Sequence, residues 1–262
     1  MSTYVVKMGG HALDSLEPTS PVLSDLASDI NALVSDGHRV VVVHGGGPQI
    51  ADLLSRVGVE SRFFEGLRIT DDETLRYVVM ALGEVNLKLA ASLNACGLRA
   101  VGLSGADAST MVADALGEPW LRAGKNPRVT TDLLEHSLTG GFTPVMSPIG
   151  MDTQGQLLNC NADTAAGAVA AALGAELILL SDIDQLRSDP NDSSSSLPSV
   201  SAKEVQALLD SGAARDGMRP KMVAALDALN GGATRIRMAN GTRPHALRDA
   251  LLQEIPTTEV LA

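Results

Sequence analysis

Cysteine is scarce in this chain: Cys96 and Cys160 are the only two among 262 residues, with no CxxC spacing. So few build neither a disulfide framework nor a zinc site, and both read as small buried hydrophobes. Positive charge is scarce as well. Twenty Lys and Arg stand against 31 Asp and Glu, a net charge of -11. No basic run offers the cationic surface that sequence-independent nucleic-acid binding requires, and an acid surplus of this kind serves solubility in a cytoplasmic enzyme. The opening MSTYVVKMGG has no basic region followed by a long apolar run, so no secretory signal is expected and the chain is placed in the cytoplasm. The most apolar later stretch, ADTAAGAVAAALGAELILLSD, is broken by Gly and by Glu176 and reads as a helix followed by a strand, with no membrane association. An internal repeat of fixed period is absent too.

What is present is a substantial hydrophobic fraction, 45% of 27.1 kDa, enough to bury a core as one large domain or two small ones. Short apolar runs alternate with helical periodicity: TYVVKM as strand, SPVLSDLASDINALVSDG as helix, RVVVVH as strand, PQIADLLSRVG as helix, then a long helix from Asp71 to about Cys96 and the strand RAVGLSG. Strands apolar on both faces and separated by helices predict an α/β fold with a parallel sheet covered on both sides. In the middle, MVADALGEPWLRAGKNPRV and TGGFTPVMSPIGMDTQGQLLNCN read as hairpins added at one end of that sheet. After the helix ADTAAGAVAAALG a second strand and helix series begins, which places a lobe boundary near Gly174 and two lobes at 1-174 and 175-262. The polar segment RSDPNDSSSSLPS, residues 187-199, reads as a mobile surface loop.

Two strands end in glycines. RVVVVH runs into Gly45, Gly46 and Gly47, with Pro48 in the first turn of the next helix, and TYVVKM runs into Gly9 and Gly10. Glycines at a strand-to-helix junction let a ligand approach the backbone, and the helix that follows presents free N–H groups and a positive dipole end, the usual place for phosphate. Two such turns on early parallel strands are expected side by side at the carboxyl edge of the sheet. Lys7, inside an otherwise apolar strand, adds a positive charge there. Neither GxxxxGK[ST] nor GxGxxG occurs, which argues against a P-loop ATPase and a dinucleotide-binding dehydrogenase. GLSGA at 102-106 nearly makes the GxSxG elbow, but Ala106 stands at the last glycine, leaving a serine hydrolase with Ser104 as a rival reading.

Further candidates stand on loops and caps. Arg68 in GLRIT is expected in a short turn before a helix opened by Thr70, where it is either solvent-exposed or a fork for a substrate carboxylate. NCNAD puts Asn159 and Asn161 on one face of an extended segment with Asp163 after them, which suits either ligand contacts or a turn and a helix cap. Lys221 follows a glycine turn in RDGMRPK.

Together KMGG, VHGGG, GLRIT, NCNAD, LLSD and DGMRPK occur in the order and at roughly the intervals of the amino acid kinase family, and almost the whole chain resembles it. Within the family the likeness is greatest to members that phosphorylate free N-acetyl-L-glutamate with ATP in arginine biosynthesis. The resemblance implies an α/β fold with an open, mostly parallel sheet sandwiched by helices, in which Lys7 and Lys221 stabilise the moving phosphoryl group and Asp163 holds both lysines. It implies phosphate contacts from the N–H groups of Gly9, Gly10, Gly45 and Gly46, and a place for Asp182 in the nucleotide region. Arg68, Asn159 and Asn161 would bind the α-carboxylate and acetamido group, with Gly45 and Gly46 also on the acceptor. MgATP is the implied co-substrate, its Mg²⁺ held mainly by phosphate oxygens with no dedicated metal site on the protein. A γ-carboxylate is ionised at neutral pH, so no general base is needed and His44 reads as structural.

Three features depart from the family pattern: Gln185 stands where relatives carry a glycine, His11 follows KMGG, and TTEVLA lacks a glycine of the usual close. A kinase for aminoadipate borne on a carrier protein, in lysine biosynthesis, is the alternative within the family. NCNAD, GLRIT and the net charge favour the free amino acid, and carbamate or aspartate fits less well. A nucleotide-binding regulator without turnover is the alternative of another class; Gln185 counts for it, and Lys7, Asp163 and Lys221 count against it. Arginine-inhibited relatives carry an extra N-terminal helix that joins dimers into hexamers. Here the first strand starts by about Tyr4, so the resemblance implies a homodimer paired through the long helix and not strongly inhibited by arginine.

Overall fold

The computed structural model describes residues 1-189, 192-212 and 218-261. In chain order the first part holds β1 (Thr3–Met8), α1 (Pro21–Ser35), β2 (Arg39–His44), α2 (Gly47–Arg56), β3 (Phe63–Phe64), β4 (Leu67–Arg68), α3 (Asp72–Ala95), β5 (Ala100–Ser104), β6 (Met111–Gly117), β7 (Leu121–Val129), α4 (Asp132–Thr139), β8 (Thr143–Ser147), β9 (Ile149–Met151), β10 (Leu157–Cys160) and α5 (Ala162–Leu173). The second part holds β11 (Glu176–Ser181), β12 (Leu186–Arg187), β13 (Ser196–Leu197), β14 (Ser199–Ser201), α6 (Ala202–Asp210), α7 (Met218–Asn230), β15 (Arg235–Asn240), α8 (Ala246–Leu252) and β16 (Thr257–Leu261).

Eight strands form one sheet in the order β14-β16-β15-β11-β1-β2-β8-β5. The six from β15 to β5 run parallel, while β16 lies antiparallel to β15 and carries β14 with it. The valine run of β2 explains the sandwich. Val41 and Val43 pack on one face with Leu134, Ala165, Val169 and Met222, and Val40 and Val42 pack on the other with Leu26, Ile30 and Leu89. Side chains alternate across a strand, so a strand apolar at every position needs cover on both sides. The sheet is continuous across Gly174, which ends α5 in a left-handed conformation with φ 56°.

The two central hairpins do more than extend one end: β10-β7-β6-β9 closes into a small four-stranded barrel. Other expectations need correcting. Arg68 lies within β4, a two-residue strand paired with β3, and Asp71, not Thr70, caps α3 by accepting from the Thr74 N–H at 2.7 Å. The described part of 187-199 is not plain loop but a hairpin of β12 and β13, with Asp192 accepting from Ser194 N and Ser195 Oγ donating to Asp189 O. Its serines satisfy the backbone locally, which a compositional reading of polarity misses. Pro190 and Asn191 of that segment, and the glycine turn at Gly217, lie outside the described residues. Among those described, no helix is long and apolar enough to cross a membrane.

Candidate active site

Because β1 and β2 are neighbours with Met8 opposite His44, their glycine turns emerge together at the carboxyl edge of the sheet, joined by Gly45 N donating to Met8 O at 2.8 Å. At Gly9 and Gly46 an added side chain would meet the ends of neighbouring side chains, whereas Gly47 has open space around it. A Cβ on Gly9 would collide with the Lys7 ammonium, and one on Gly46 would lie 2.7 Å from Leu82 Cδ2. Gly46 caps α2, and its carbonyl accepts from Ile50 at 2.9 Å, so the first-turn N–H groups of α2 open beside the Gly9 turn. Gly10 begins a short 3₁₀ turn over Gly10–Leu13.

Lys7 is on the face of β1 that carries Val5, toward α5. There Asp163, in the first turn of α5, meets it: Lys7 Nζ lies 2.9 Å from Asp163 Oδ1. Lys221 arrives from α7 and donates to Oδ2 at 3.0 Å. One carboxylate therefore fixes two ammonium groups from distant parts of the chain. Burial alone would raise the Asp163 pKa, but the two cations and their hydrogen bonds outweigh it and hold the acid at about 2. Burial is also the largest influence on Lys7 and lowers its pKa. Asp163 pulls the other way, Lys221 lowers it further, and the charge of Asp182 raises it. Each ammonium has three donors and gives Asp163 one, so N–H groups remain for another anion.

Next to this triad is a cavity of about 270 Å³ whose lining includes Lys7, Gly45, Arg68, Asn159, Asn161 and Asp163. Arg68 is buried, 8% exposed. It donates to Ser61 Oγ and, at 3.4 Å, to Gly47 O, and among the described residues it has no carboxylate partner. Burial lowers its pKa from the ordinary arginine value, which is high enough that the group stays charged. Asn159 Nδ2 donates to Thr70 Oγ1 at 3.1 Å, and Thr70 in turn donates to Arg68 O at 2.9 Å. Asn161, not Asp163, is the helix cap: its Oδ1 accepts from the N–H groups of Asp163 and Thr164. Its amide nitrogen has no protein partner among the described residues.

The remaining candidates separate. Asp182 is exposed just past β11, close enough to act electrostatically on Lys7 but outside the cavity lining. His44 is fully buried, with Nδ1 2.7 Å from Gly45 O and Nε2 3.0 Å from Asn86 Nδ2. Burial drives its pKa down to about 4, so the neutral ring braces the turn. Ser104 ends the outermost strand β5 with its N–H on Asp107 Oδ2, away from the cavity lining, which leaves the hydrolase reading without support, and Cys160 is buried as expected, its pKa pushed up by burial to about 12. Gln185 ties its Nε2 to Thr257 O at 2.8 Å, so it fastens the segment entering β12 to the start of β16. Three contributors escape the sequence reading: Thr70, Ser61 and Phe63, each meeting another site residue only through the fold. Among the described residues, no cluster of three or more His, Cys, Asp or Glu could hold a metal ion, and the one buried carboxylate in the cavity is already spent on two lysines. This donor set suits the oxygens of a phosphate chain.

The family model described as amino acid kinase family matches residues 2–240. The chain is 39% identical to the acetylglutamate kinase of Symbiobacterium thermophilum, over 98% of this chain and 89% of that one, and 37% identical to that of Archaeoglobus fulgidus, over 94% and 88%. Among solved structures it superposes with a TM-score of 0.80 and 28% identity on N-acetylglutamate synthase from Neisseria gonorrhoeae, complexed with coenzyme A and N-acetyl-glutamate. That match takes in the whole of this chain but 59% of the synthase.

Proposed function

The chain belongs to the amino acid kinase family, and from that premise we propose that it transfers the γ-phosphoryl group of ATP to the γ-carboxylate of N-acetyl-L-glutamate. The products are N-acetyl-L-glutamyl 5-phosphate and ADP, the second step of arginine biosynthesis. The observation that carries this reading is the Lys7–Asp163–Lys221 triad at the mouth of two glycine turns, with Arg68, which has no carboxylate partner among the described residues, lining the same cavity.

A carboxylate oxygen attacks the γ-phosphorus as the bond to the bridging oxygen of ADP breaks. Both reactants are anions, so the site must offset their repulsion and then the charge spread over the transferring group. Lys7 and Lys221 do this with the N–H groups that Asp163 leaves free, and the amides of Gly9, Gly10 and Gly46 complete the cradle, while the expected Gly45 N–H contact is not available because that group donates to Met8 O. No proton needs to leave the nucleophile, which agrees with His44 being spent on structure. Mg²⁺ would come as part of the MgATP co-substrate, held mainly by phosphate oxygens, and would supply further charge neutralisation. Arg68 takes the acceptor's α-carboxylate, and Asn159 and Asn161 take its acetamido group. The lobe of residues 1-174 holds the acceptor, and residues 175-262, with Asp182, hold ATP. The working particle is a cytoplasmic homodimer.

Hydroxylamine trapping of the acyl phosphate tests the reaction, with MgATP and, in parallel, N-acetyl-L-glutamate, L-glutamate, aspartate and carrier-bound aminoadipate. Hydroxamate with N-acetyl-L-glutamate alone is the expected result. Signal with the carrier substrate instead would move the enzyme to lysine biosynthesis, and silence in every arm despite ATP binding would leave a regulator.

A further inference from the structure

Aromatic residues make up 2% of this sequence, with three phenylalanines and a single tryptophan. Phe63, Phe64 and Trp120 nevertheless gather at one place, the β3–β4 hairpin beside the cavity. Neighbouring side chains of a strand leave on opposite sides. Phe64 meets Trp120 edge-on, ring centroids 5.2 Å apart, and its carbonyl accepts from Trp120 Nε1 at 2.9 Å. Phe63 takes the other side. It lines the cavity, and the Arg68 guanidinium carbon stands 4.6 Å from its ring centroid.

The contact is set by register, because β3 and β4 pair Phe63 directly with Arg68. The turn between them, Glu65 at φ 49° and Gly66 at φ 78°, is of the tight kind that fixes a hairpin's register. Arg68 is thus a buried cation without a carboxylate partner among the described residues. Ser61 and Gly47 O hold its nitrogens, and a ring covers one face of its plane. Phe63 itself is 57% exposed, so it contributes little to the core, and the guanidinium is the polar partner that its ring meets. A planar fork covered on its face presents its edge, and the edge is what a carboxylate binds with two parallel hydrogen bonds.

We propose that Phe63 is a positioning residue for Arg68, holding the guanidinium plane so that its free edge meets the acceptor's carboxylate, and that it thereby sets acceptor affinity. The proposal rests on the reading of Arg68 as the carboxylate-binding residue. Phe63→Leu keeps apolar cover but removes the ring's quadrupole, and Phe63→Tyr keeps the ring.

The test measures KM for N-acetyl-L-glutamate at saturating MgATP, and its dissociation constant by calorimetry, for the unsubstituted protein, Phe63→Leu, Phe63→Tyr, Arg68→Ala and Phe63→Leu/Arg68→Ala. Unchanged Trp120 emission verifies that the hairpin stays seated. Phe63→Leu should raise KM and the dissociation constant about five- to tenfold with kcat within about twofold. Phe63→Tyr should stay near the unsubstituted protein, and the double variant should be no worse than Arg68→Ala. Full affinity in Phe63→Leu, equal losses in Leu and Tyr, or a further loss on top of Arg68→Ala would each overturn this proposal alone. Acceptor affinity untouched by Arg68→Ala, or no acceptor binding by the unsubstituted protein, would overturn the reading beneath it and the proposal with it.

Discussion

Asp163 uses both oxygens on ammonium groups, and this makes it the residue whose loss has two separate consequences. Asp163→Asn leaves Lys7 buried without a counter-charge, a defect that costs roughly 3–5 kcal/mol in buried pairs. It also frees both lysines to drift. Lys7→Ala and Lys221→Ala each remove one donor from the transferring phosphoryl group and should lower kcat on the order of 10²-fold, with acceptor KM little changed. Steady-state kinetics on the two variants check this, and undiminished turnover in either would remove its role. The pH dependence of stability has another source. Asp163, held at about 2 against an ordinary 3.8, gives up its contribution only as pH falls through that range. His44 acts earlier. Its folded pKa of about 4 lies below the ordinary 6.5, so between these values the unfolded chain binds the proton more readily and stability falls as pH drops. Linkage puts the loss between pH 6.5 and 5 at about 1.5 kcal/mol. Urea unfolding of the native protein and of His44→Gln should show that slope in the first and a flatter one in the second. At this scale the sequence carries the residues whose type is anomalous for their surroundings, such as Lys7 in a valine strand. It does not carry Phe63, whose meaning comes from a partner across a turn.

Helices α5 and α7 bring the two ends of the triad together, and their closeness depends on small residues. A Cβ on Gly167 of α5 would lie 2.9 Å from Ala224 O and 3.3 Å from Ala228 Cβ of α7. Gly167→Val should therefore push α7 outward, destabilise the fold by about 1–3 kcal/mol as overpacking does, and carry Lys221 off Asp163. The expected pattern is a lower urea midpoint and a lower kcat with acceptor KM nearly unchanged, because Arg68 stands on a different element. A variant with native stability and turnover would show that the helices tolerate the spacing. Elements of this size were legible: valine runs apolar at each position announce β2 and its two-sided cover, and Gly174 announces the end of α5. The smaller ones were not. Strands β3 and β4 have two residues each, too few for any periodicity, and closure of the β6–β10 region into a barrel depends on β9 meeting β6 across the chain. The Asp71 cap lay one residue beyond the expected Thr70, the usual margin at helix ends.

Across the whole molecule one surface is unlike the rest. The sheet ends at β5, which among the described residues pairs only with β8, and beside it runs α3, whose outward positions Met80, Gly83, Leu87 and Ala91 repeat at helical spacing and are all exposed, Leu87 by 72% and Met80 by 53%. An apolar stripe next to an open edge strand invites association. A helix that meets a second copy of itself gives the self-complementary contact of a twofold dimer, in which each residue is used twice. We propose this face as the one through which the homodimer pairs. Leu87 is none of the site residues named above, so a monomer should retain the site. Light scattering of the native protein at micromolar concentration should then give twice the 27.1 kDa chain mass, and Leu87→Glu should give the single mass, because two copies of the charge would be brought against each other without water. Calorimetry on that variant should still detect N-acetyl-L-glutamate with affinity close to native. A native protein that runs as a monomer would dispose of the dimer. A Leu87→Glu dimer would move the interface off α3, and a monomer that no longer binds would mean that the contact shapes the acceptor site through α3, whose Leu82 packs against Gly46 on the opposite side of the same helix.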